Sequence, residues 1–502
     1  PHLDHLARET AAAGKFLEQR LTIYPGYALQ PERWLDPAVR TAVLRQQDAS
    51  GFARRDSWVP GEEAPVPPVE ARLLSAPQNA FAVSSELRAL VERCERSQPL
   101  GEADVVRLFA ARGPEFRFVV DAADRLRRAR CGDTVSYVIN RNINYTNVCY
   151  FKCQFCAFSK GKHTQELRGK PYDISATEIA RRCREAWARG ATEVCMQGGI
   201  HPDYTGQTYL DILATVRAAT PDIHIHAFSP LEVWQGAATL GVPLEDYLRQ
   251  LKSAGLGTLP GTAAEILDDE VRATLCPDKL NTAEWLEVME TAHGVGFRTT
   301  ATIMYGHMES PRHWARHLLR LRALQARTGG FTEFVPLPFV HMEAPMFLRG
   351  KSRRGPTFRE AVLMHAVSRL ALNGFIDNIQ TSWVKMGEAG VDVCLNAGAN
   401  DLGGTLMNES ITRAAGAAHG QEWAPTVMEH RIHALGRAPR LRTTLYTEAP
   451  AERRAVANSA APLLAIENAD AGKRARDKRL LLASDAPVLA AAEQVVMMAA
   501  CN

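Results

Sequence analysis

Residues 147–160 read NVCYFKCQFCAFSK and bring Cys149, Cys153 and Cys156 together at C-x3-C-x2-C spacing. Thiols this close in sequence signal metal binding, but three are one short of the four ligands that close a structural zinc site. Three thiolates can instead hold three irons of a [4Fe–4S] cluster, whose usual complement is four cysteines. The remaining iron is then open to a small molecule, and an open coordination position marks a catalytic metal site. Two plainer readings stand beside this one. His163 could complete a Cys3His zinc site, or the clustering could be chance.

The rest of the 502 residues bound what can surround that loop. The other seven cysteines, Cys94, Cys131, Cys183, Cys195, Cys276, Cys394 and Cys501, are scattered singly. They read as small buried hydrophobes in a reducing compartment rather than a disulfide framework, which places the chain in the cytoplasm. A net charge of +3 gives no field that argues for nucleic acid or an anionic membrane. No apolar run approaches the roughly 20 residues of a membrane-spanning helix. The sequence starts at Pro1, with no Met, signal peptide or transit pattern, so a partial or trimmed chain is expected.

From Thr134 strand-like and helix-like runs alternate. Candidate strands are 134–143, 193–199, 223–229, 255–261, 298–306, 331–337, 374–380 and 390–398. Amphipathic runs such as SATEIARRCREAWARG (175–190) and NTAEWLEVMETAHGVG (281–296) lie between most of them. Eight β–α alternations imply a parallel sheet, most economically closed as an α/β (β/α)8 TIM-type barrel. Residues 84–130 read as helical, broken at Gly113-Pro114. The Pro-rich stretch 59–71 reads as a linker, and the Ala-rich tail lacks strand pattern. The expected organisation is a preceding-domain remnant plus linker at 1–81, a barrel domain with N-terminal helices at 82–446, and a peripheral tail at 447–502.

This layout puts the cysteine loop directly after the first strand, on the face where barrel active sites are built. The spacing, with Phe155 before the last cysteine, resembles the radical SAM superfamily signature. The resemblance implies a [4Fe–4S] cluster and S-adenosyl-L-methionine (SAM), with Cys149, Cys153 and Cys156 as cluster ligands and Phe155 beside the cofactor. It also implies that Gly198 and Gly199 of QGGIHP (197–202), where glycines allow close backbone approach, hold the SAM amino group. Glu265 of TLPGTAAEIL (258–267) is a candidate acceptor for SAM, although a carboxylate in a first helical turn is also favoured by the dipole. IMYGHMES (303–310) offers His307 as a catalytic group and Glu309 as a cofactor-binding one. HAFSPLEV (226–233) and NAGANDLGGTLMNES (396–410) offer Glu232, Asn400 and Asp401, with Glu232 and Asp401 as further catalytic candidates. Capping and turn roles compete for each of these polar groups.

Taken together, RNINYTNVCYFKCQFCAFSKG, MQGGIHPDYTG, HAFSPLEV, LPGTAAEILDDEVR, TTATIMYGHMES and GANDLGGTLMNES resemble the tyrosine-utilising, CofH-type half of 7,8-didemethyl-8-hydroxy-5-deazariboflavin (FO) synthase, over about residues 82–446. The resemblance implies L-tyrosine and 5-amino-6-(D-ribitylamino)uracil as substrates and a 4-hydroxybenzyl–uracil adduct as product, with 2-iminoacetate, methionine and 5′-deoxyadenosine released. It further implies a ring-closing radical SAM half as partner, fused or separate, and a reducing electron donor; residues 1–60 resemble the end of such a half. Two rivals remain: a radical SAM enzyme of the menaquinone futalosine pathway, and a non-enzymatic iron–sulfur or zinc scaffold. Replacing any one of Cys149, Cys153 or Cys156 by Ala is expected to abolish SAM cleavage, measured as 5′-deoxyadenosine release. Cys276→Ala or Cys394→Ala should cost stability alone. Full release by the Cys149→Ala variant would sink the cluster assignment.

Overall fold

The computed structural model describes residues 2–13, 15–76, 83–159 and 170–468. His163 and residues 469–502 of the tail lie outside that set. Nine strands are seen among the described residues: β1 (Thr134–Val138), β2 (Asn140–Ile143), β3 (Glu193–Met196), β4 (His224–Ala227), β5 (Thr258–Leu259), β6 (Arg298–Tyr305), β7 (Phe331–Pro338), β8 (Asp401–Gly404) and β9 (Ala438–Leu441). β2 to β7 form one parallel sheet in sequence order. From β7 the pairing continues through parallel bridges, Phe334 with Ile379 and Gln380 with Asp401. β8 then pairs with β1, which runs on through Ile139 into β2. The circuit closes as the expected barrel, and β9 pairs with the edge of β1 opposite β8.

Helices fill the connections where the sequence pattern places them. Ala176–Ala188 is capped by the Ser175 hydroxyl and buries Ile179, Cys183 and Ala186 on one stripe. Thr282–Gly294 starts with a reciprocal Asn281–Glu284 capping box. The expected break at Gly113-Pro114 is present: Gly113 takes φ +53° and Pro114 opens the helix Pro114–Cys131.

Three expected strands change. The run 134–143 is divided at Ile139, because β1 pairs with β8 and β9 whereas β2 pairs with β3. The run 374–380 keeps only the bridges at Ile379 and Gln380. The run 390–398 is not a strand: it lies in the helix Trp383–Leu395 and the turn after it. That helix is buried on several sides, through Trp383, Met386, Val391 and Leu395. Its apolar pattern is therefore nearly continuous and carries no clear period. The last barrel strand comes instead from the Gly-rich run 401–404.

Strand periodicity sets the character of the interior. Outward-facing Val194, Met196, Ile225, Ala227, Ala301, Ile303 and Tyr305 pack under the helices with almost no exposure. Each fully buried aliphatic side chain of this kind contributes about 1.5–3 kcal/mol. The alternating residues Asn140, Asn142, Glu193, Cys195, His226, Thr300, Thr302 and Glu333 face the barrel axis and line a cavity. A hairpin-like return after β9, closed by the Arg442–Glu448 bridge, brings Arg442, Thr444 and Tyr446 onto these groups.

The flanking segments lie against the barrel. Trp58, Val59, Pro60 and Gly61 are buried. The Gly61 N–H donates to the Lys385 carbonyl at 2.8 Å, and Ala418 N–H donates to the Gly61 carbonyl at 2.9 Å. At the other end Arg453, in the helix Ala451–Asn458, stacks on Trp187 at 3.9 Å from the ring centre. Arg442 holds Asp401 through two hydrogen bonds, of 2.5 and 3.0 Å, in an almost fully buried pair. Removing one partner of such a pair strands a buried charge. Asp401→Ala is expected to lower stability by about 3–5 kcal/mol, read from urea unfolding. A loss below about 1 kcal/mol, the range of an exposed pair, would contradict this role.

Candidate active site

The cavity has a volume of about 410 Å³ and is lined by Cys149, Cys153 and Cys156 together with the inward-facing barrel residues. The cysteine loop is held from both sides by backbone hydrogen bonds. Tyr150 N–H donates to the Ile200 carbonyl at 3.1 Å, and Gln154 N–H to the Leu275 carbonyl at 2.9 Å. Ser159 N–H donates to Cys156 Sγ at 3.4 Å. Burial raises the Cys149 and Cys153 thiols above their ordinary value, so a bound cation has to supply the charge that makes them thiolates. Three sulfur donors on one cavity wall, with an N–H aimed at one sulfur, suit a thiolate-bound iron–sulfur cluster.

Gly198 and Gly199 face this loop at close range. A side chain on Gly199 would stand 2.3 Å from the Val148 carbonyl oxygen and 3.0 Å from Cys149 Cβ, and one on Gly198 would stand 2.3 Å from the Tyr145 ring. Glu232 fixes the pair. One carboxylate oxygen accepts from the Tyr145 hydroxyl and from Gly198 N–H at 3.1 Å. The other accepts from Ser229 N–H and Oγ, both at 2.6 Å. Glu232 lines the cavity, but its acceptor positions are engaged by the protein, which makes it a positioning residue in this geometry.

Glu265 and Phe155 meet around a residue that sequence reading did not single out. Lys279 Nζ is 2.9 Å from Glu265 and 5.2 Å from the Phe155 ring centre. Burial opposes its charge, but the neighbouring Cys153 and Glu265 outweigh burial and hold the ammonium well above its ordinary value.

His307, Glu309 and Asp401 are not among the cavity-lining residues. Glu309 closes its own loop. It accepts from the backbone of Gly306, His307 and Met308 and from the Trp314 indole, and it pairs with the His307 ring at 2.8 Å. Burial would raise its carboxyl, but His307 and Arg353 hold it well below the usual range. Asn400 bonds to Arg369, the Ile379 backbone and Asn378. Asp401 touches the cavity wall through Arg442 and through the Gly403 N–H, both of which line it.

Sequence reading also missed the polar floor of the chamber. Arg442 is 3.3 Å from Glu333, whose other contact is the Tyr446 hydroxyl. Burial pushes the Glu333 carboxyl up to about 7, against the pull of Arg442. Glu193 is held by Asn140 at 2.8 Å and Thr444 at 2.6 Å. The polar inward positions Asn140 and Asn142 of β2, Glu193 of β3, Thr300 and Thr302 of β6 and Glu333 of β7 were the available signal, since a filled barrel would carry branched apolar residues there.

The fold and cysteine loop define a radical SAM-type barrel protein. Residues 143–321 match the radical SAM superfamily, and residues 328–454 match the CofH/MqnC C-terminal region. The chain is 42% identical over 496 residues to an FO synthase of Streptomyces coelicolor, covering 91% of this chain and 57% of that relative. It thus spans little more than half of that relative's length. Over 351 residues it is 44% identical to the 5-amino-6-(D-ribitylamino)uracil–L-tyrosine 4-hydroxyphenyl transferase of Methanothermobacter thermautotrophicus, covering 70% of this chain and 95% of the relative. A similar fold is seen in the FeFe-hydrogenase maturase HydG of Carboxydothermus hydrogenoformans, with TM-score 0.55 at 13% identity, covering 72% of this chain and 80% of that one. The chain belongs to the radical SAM family of FO synthases and 4-hydroxyphenyl transferases.

Because a methyl group on Gly199 has no room beside Val148 and Cys149, Gly199→Ala is expected to displace the cysteine loop. Iron bound per chain after anaerobic reconstitution should fall well below the wild-type value. Unchanged iron content would show that the loop tolerates the group.

Proposed function

We propose that the chain is a radical SAM transferase that breaks L-tyrosine between Cα and Cβ and transfers its 4-hydroxybenzyl group to 5-amino-6-(D-ribitylamino)uracil. The observation that carries this reading is the 44% identity to the archaeal transferase over 95% of its length. Cys149, Cys153 and Cys156 would hold a [4Fe–4S] cluster, and Gly198, Gly199 and Glu265 would border SAM. When bound, cluster and SAM together supply a 5′-deoxyadenosyl radical that removes a hydrogen atom from the amino acid.

The chain's own residues then have three tasks. The first is to position. The Glu232 clamp keeps the Gly198–Gly199 backbone against the cysteine loop, so that reacting atoms meet at near-attack distances of about 3–3.5 Å. The second is to recognise two polar substrates. Asn142 Oδ1 and Thr262 Oγ1 are buried without a hydrogen-bond partner, and both residues line the cavity. They suit the amide-like and hydroxyl groups of a ribityl-substituted uracil. The third is to exclude solvent and stray hydrogen donors, for which Phe155, Phe158, Leu337 and Phe339 supply apolar wall. A ring-closing radical SAM partner and a reducing electron donor complete the proposed setting.

Tyrosine labelled with 13C in the ring and Cβ is expected to pass the label to the uracil adduct. Carboxyl and Cα label should leave as iminoacetate and be recovered as glyoxylate. Mass spectrometry of the products of the reduced, reconstituted protein distinguishes the two fates. Carboxyl label in the adduct, or adduct formed without tyrosine, would rule out this cleavage.

A further inference from the structure

Three cations line the cavity among the described residues: Lys279, Lys385 and Arg442. Two are committed. Lys279 is paired with Glu265, and Arg442 with Asp401 and Glu333. The cavity carboxylates are committed as well. Glu193 is bound by Asn140 and Thr444, and Glu232 by Tyr145, Ser229 and Gly198. Glu409 accepts from the Thr412 and Arg413 backbones at 2.7 and 3.3 Å. Lys385 stands apart: no hydrogen bond or ion pair joins its ammonium to any described residue.

The backbone holds Lys385 firmly nonetheless. It lies in the first turn of the helix Trp383–Leu395, just before the interruption at Gly387, where φ is +67° and ψ is 176°. Its N–H donates to the Ser382 carbonyl at 3.1 Å, and its carbonyl accepts from Gly61 at 2.8 Å. Residues 380, 382 and 384 line the same wall. A cation fixed at its root, in a chamber whose other charged groups each have a hydrogen-bond or ion-pair partner, is arranged for an anionic ligand group.

We propose that the Lys385 ammonium anchors the α-carboxylate of an amino-acid ligand in this cavity, that of L-tyrosine or of SAM. The proposal rests on the function proposed above, because both ligands enter through that reading. Glu265 and Glu409 are the acidic groups that act on Lys385 from across the cavity, and burial lowers its ammonium to about 8. It is therefore still mainly protonated at neutral pH. Each carries the charge of Lys385 only from a distance; a carboxylate in contact would replace the solvation that burial removes.

The test is equilibrium binding to the full chain, reconstituted anaerobically and left unreduced so that no turnover occurs. Wild type, Lys385→Met and Lys385→Arg are each titrated with L-tyrosine, tyramine, SAM and decarboxylated SAM. Lys385→Met is expected to weaken L-tyrosine or SAM about ten- to hundredfold, the size of one charge-assisted hydrogen bond. The counterpart lacking the carboxylate should bind wild type and variant alike, and Lys385→Arg should recover most of the loss. A change confined to the tyrosine arm assigns the site to the substrate, and one confined to the SAM arm assigns it to SAM. Equal losses for a ligand and its decarboxylated counterpart, or no change in either arm, would overturn the proposal. A wild-type protein that binds SAM but no tyrosine would defeat the proposed function instead, and the SAM arm would still decide the role of Lys385.

Discussion

A barrel whose interior carries ionised side chains has to balance each charge inside the wall or leave it for a ligand, because an isolated charge out of water is far too costly to hold. Much of this architecture answers to that constraint. Asp401 neutralises Arg442, Arg442 steadies Glu333, and Tyr446 adds a hydroxyl to the same carboxylate. These contacts require the chain to return under the barrel after β9, so the segment 442–446 belongs to the chamber although it lies beyond the last strand of the barrel circuit. The same accounting at the rim gives Glu265 to Lys279 and turns Glu232 inward to the loop it clamps.

The sequence disclosed the parts of the site that depend on local spacing. Three thiols on one loop, paired glycines after the next strand, and Ser229 three residues before Glu232 are short-range patterns, and the structure assembles them in one place. Groups whose meaning depends on pairing across the barrel could not be read this way. Lys279, Lys385 and Arg442 sit in the unremarkable runs CPDKLN, SWVKMG and RLRTTL. Nothing in those runs says that two find carboxylates and one does not. His307, Glu309 and Asp401 illustrate the reverse. His307 and Glu309 occur in a loop at the expected rim, yet Glu309 is engaged by neighbouring backbone, the His307 ring and Trp314, and Asp401 opens β8 and is held by Arg442 and the Gly403 backbone.

Fold elements divide along the same line. Helices with clean stripes and caps, such as those starting after Ser175 and Asn281, stand where the pattern puts them. The eighth barrel position was obscured because the helix Trp383–Leu395 is apolar on several faces, while β8 is built from Asp, Leu and two glycines. Those glycines serve the interior. A side chain on Gly404 would stand 2.1 Å from Asn140 Oδ1, and one on Gly403 1.9 Å from the Gln380 amide, so close packing of polar residues took precedence over strand propensity.

The short contact made by Gly61 carries a mechanical consequence. One face of this residue is stitched to the carbonyl of Lys385 and the other to the amide of Ala418. The segment from Trp58 to Gly61 is therefore tied to the root of a lysine that lines the reaction chamber. A stretch that precedes the whole barrel in the chain thus serves as part of its wall, clasping from outside a residue whose side chain lies within.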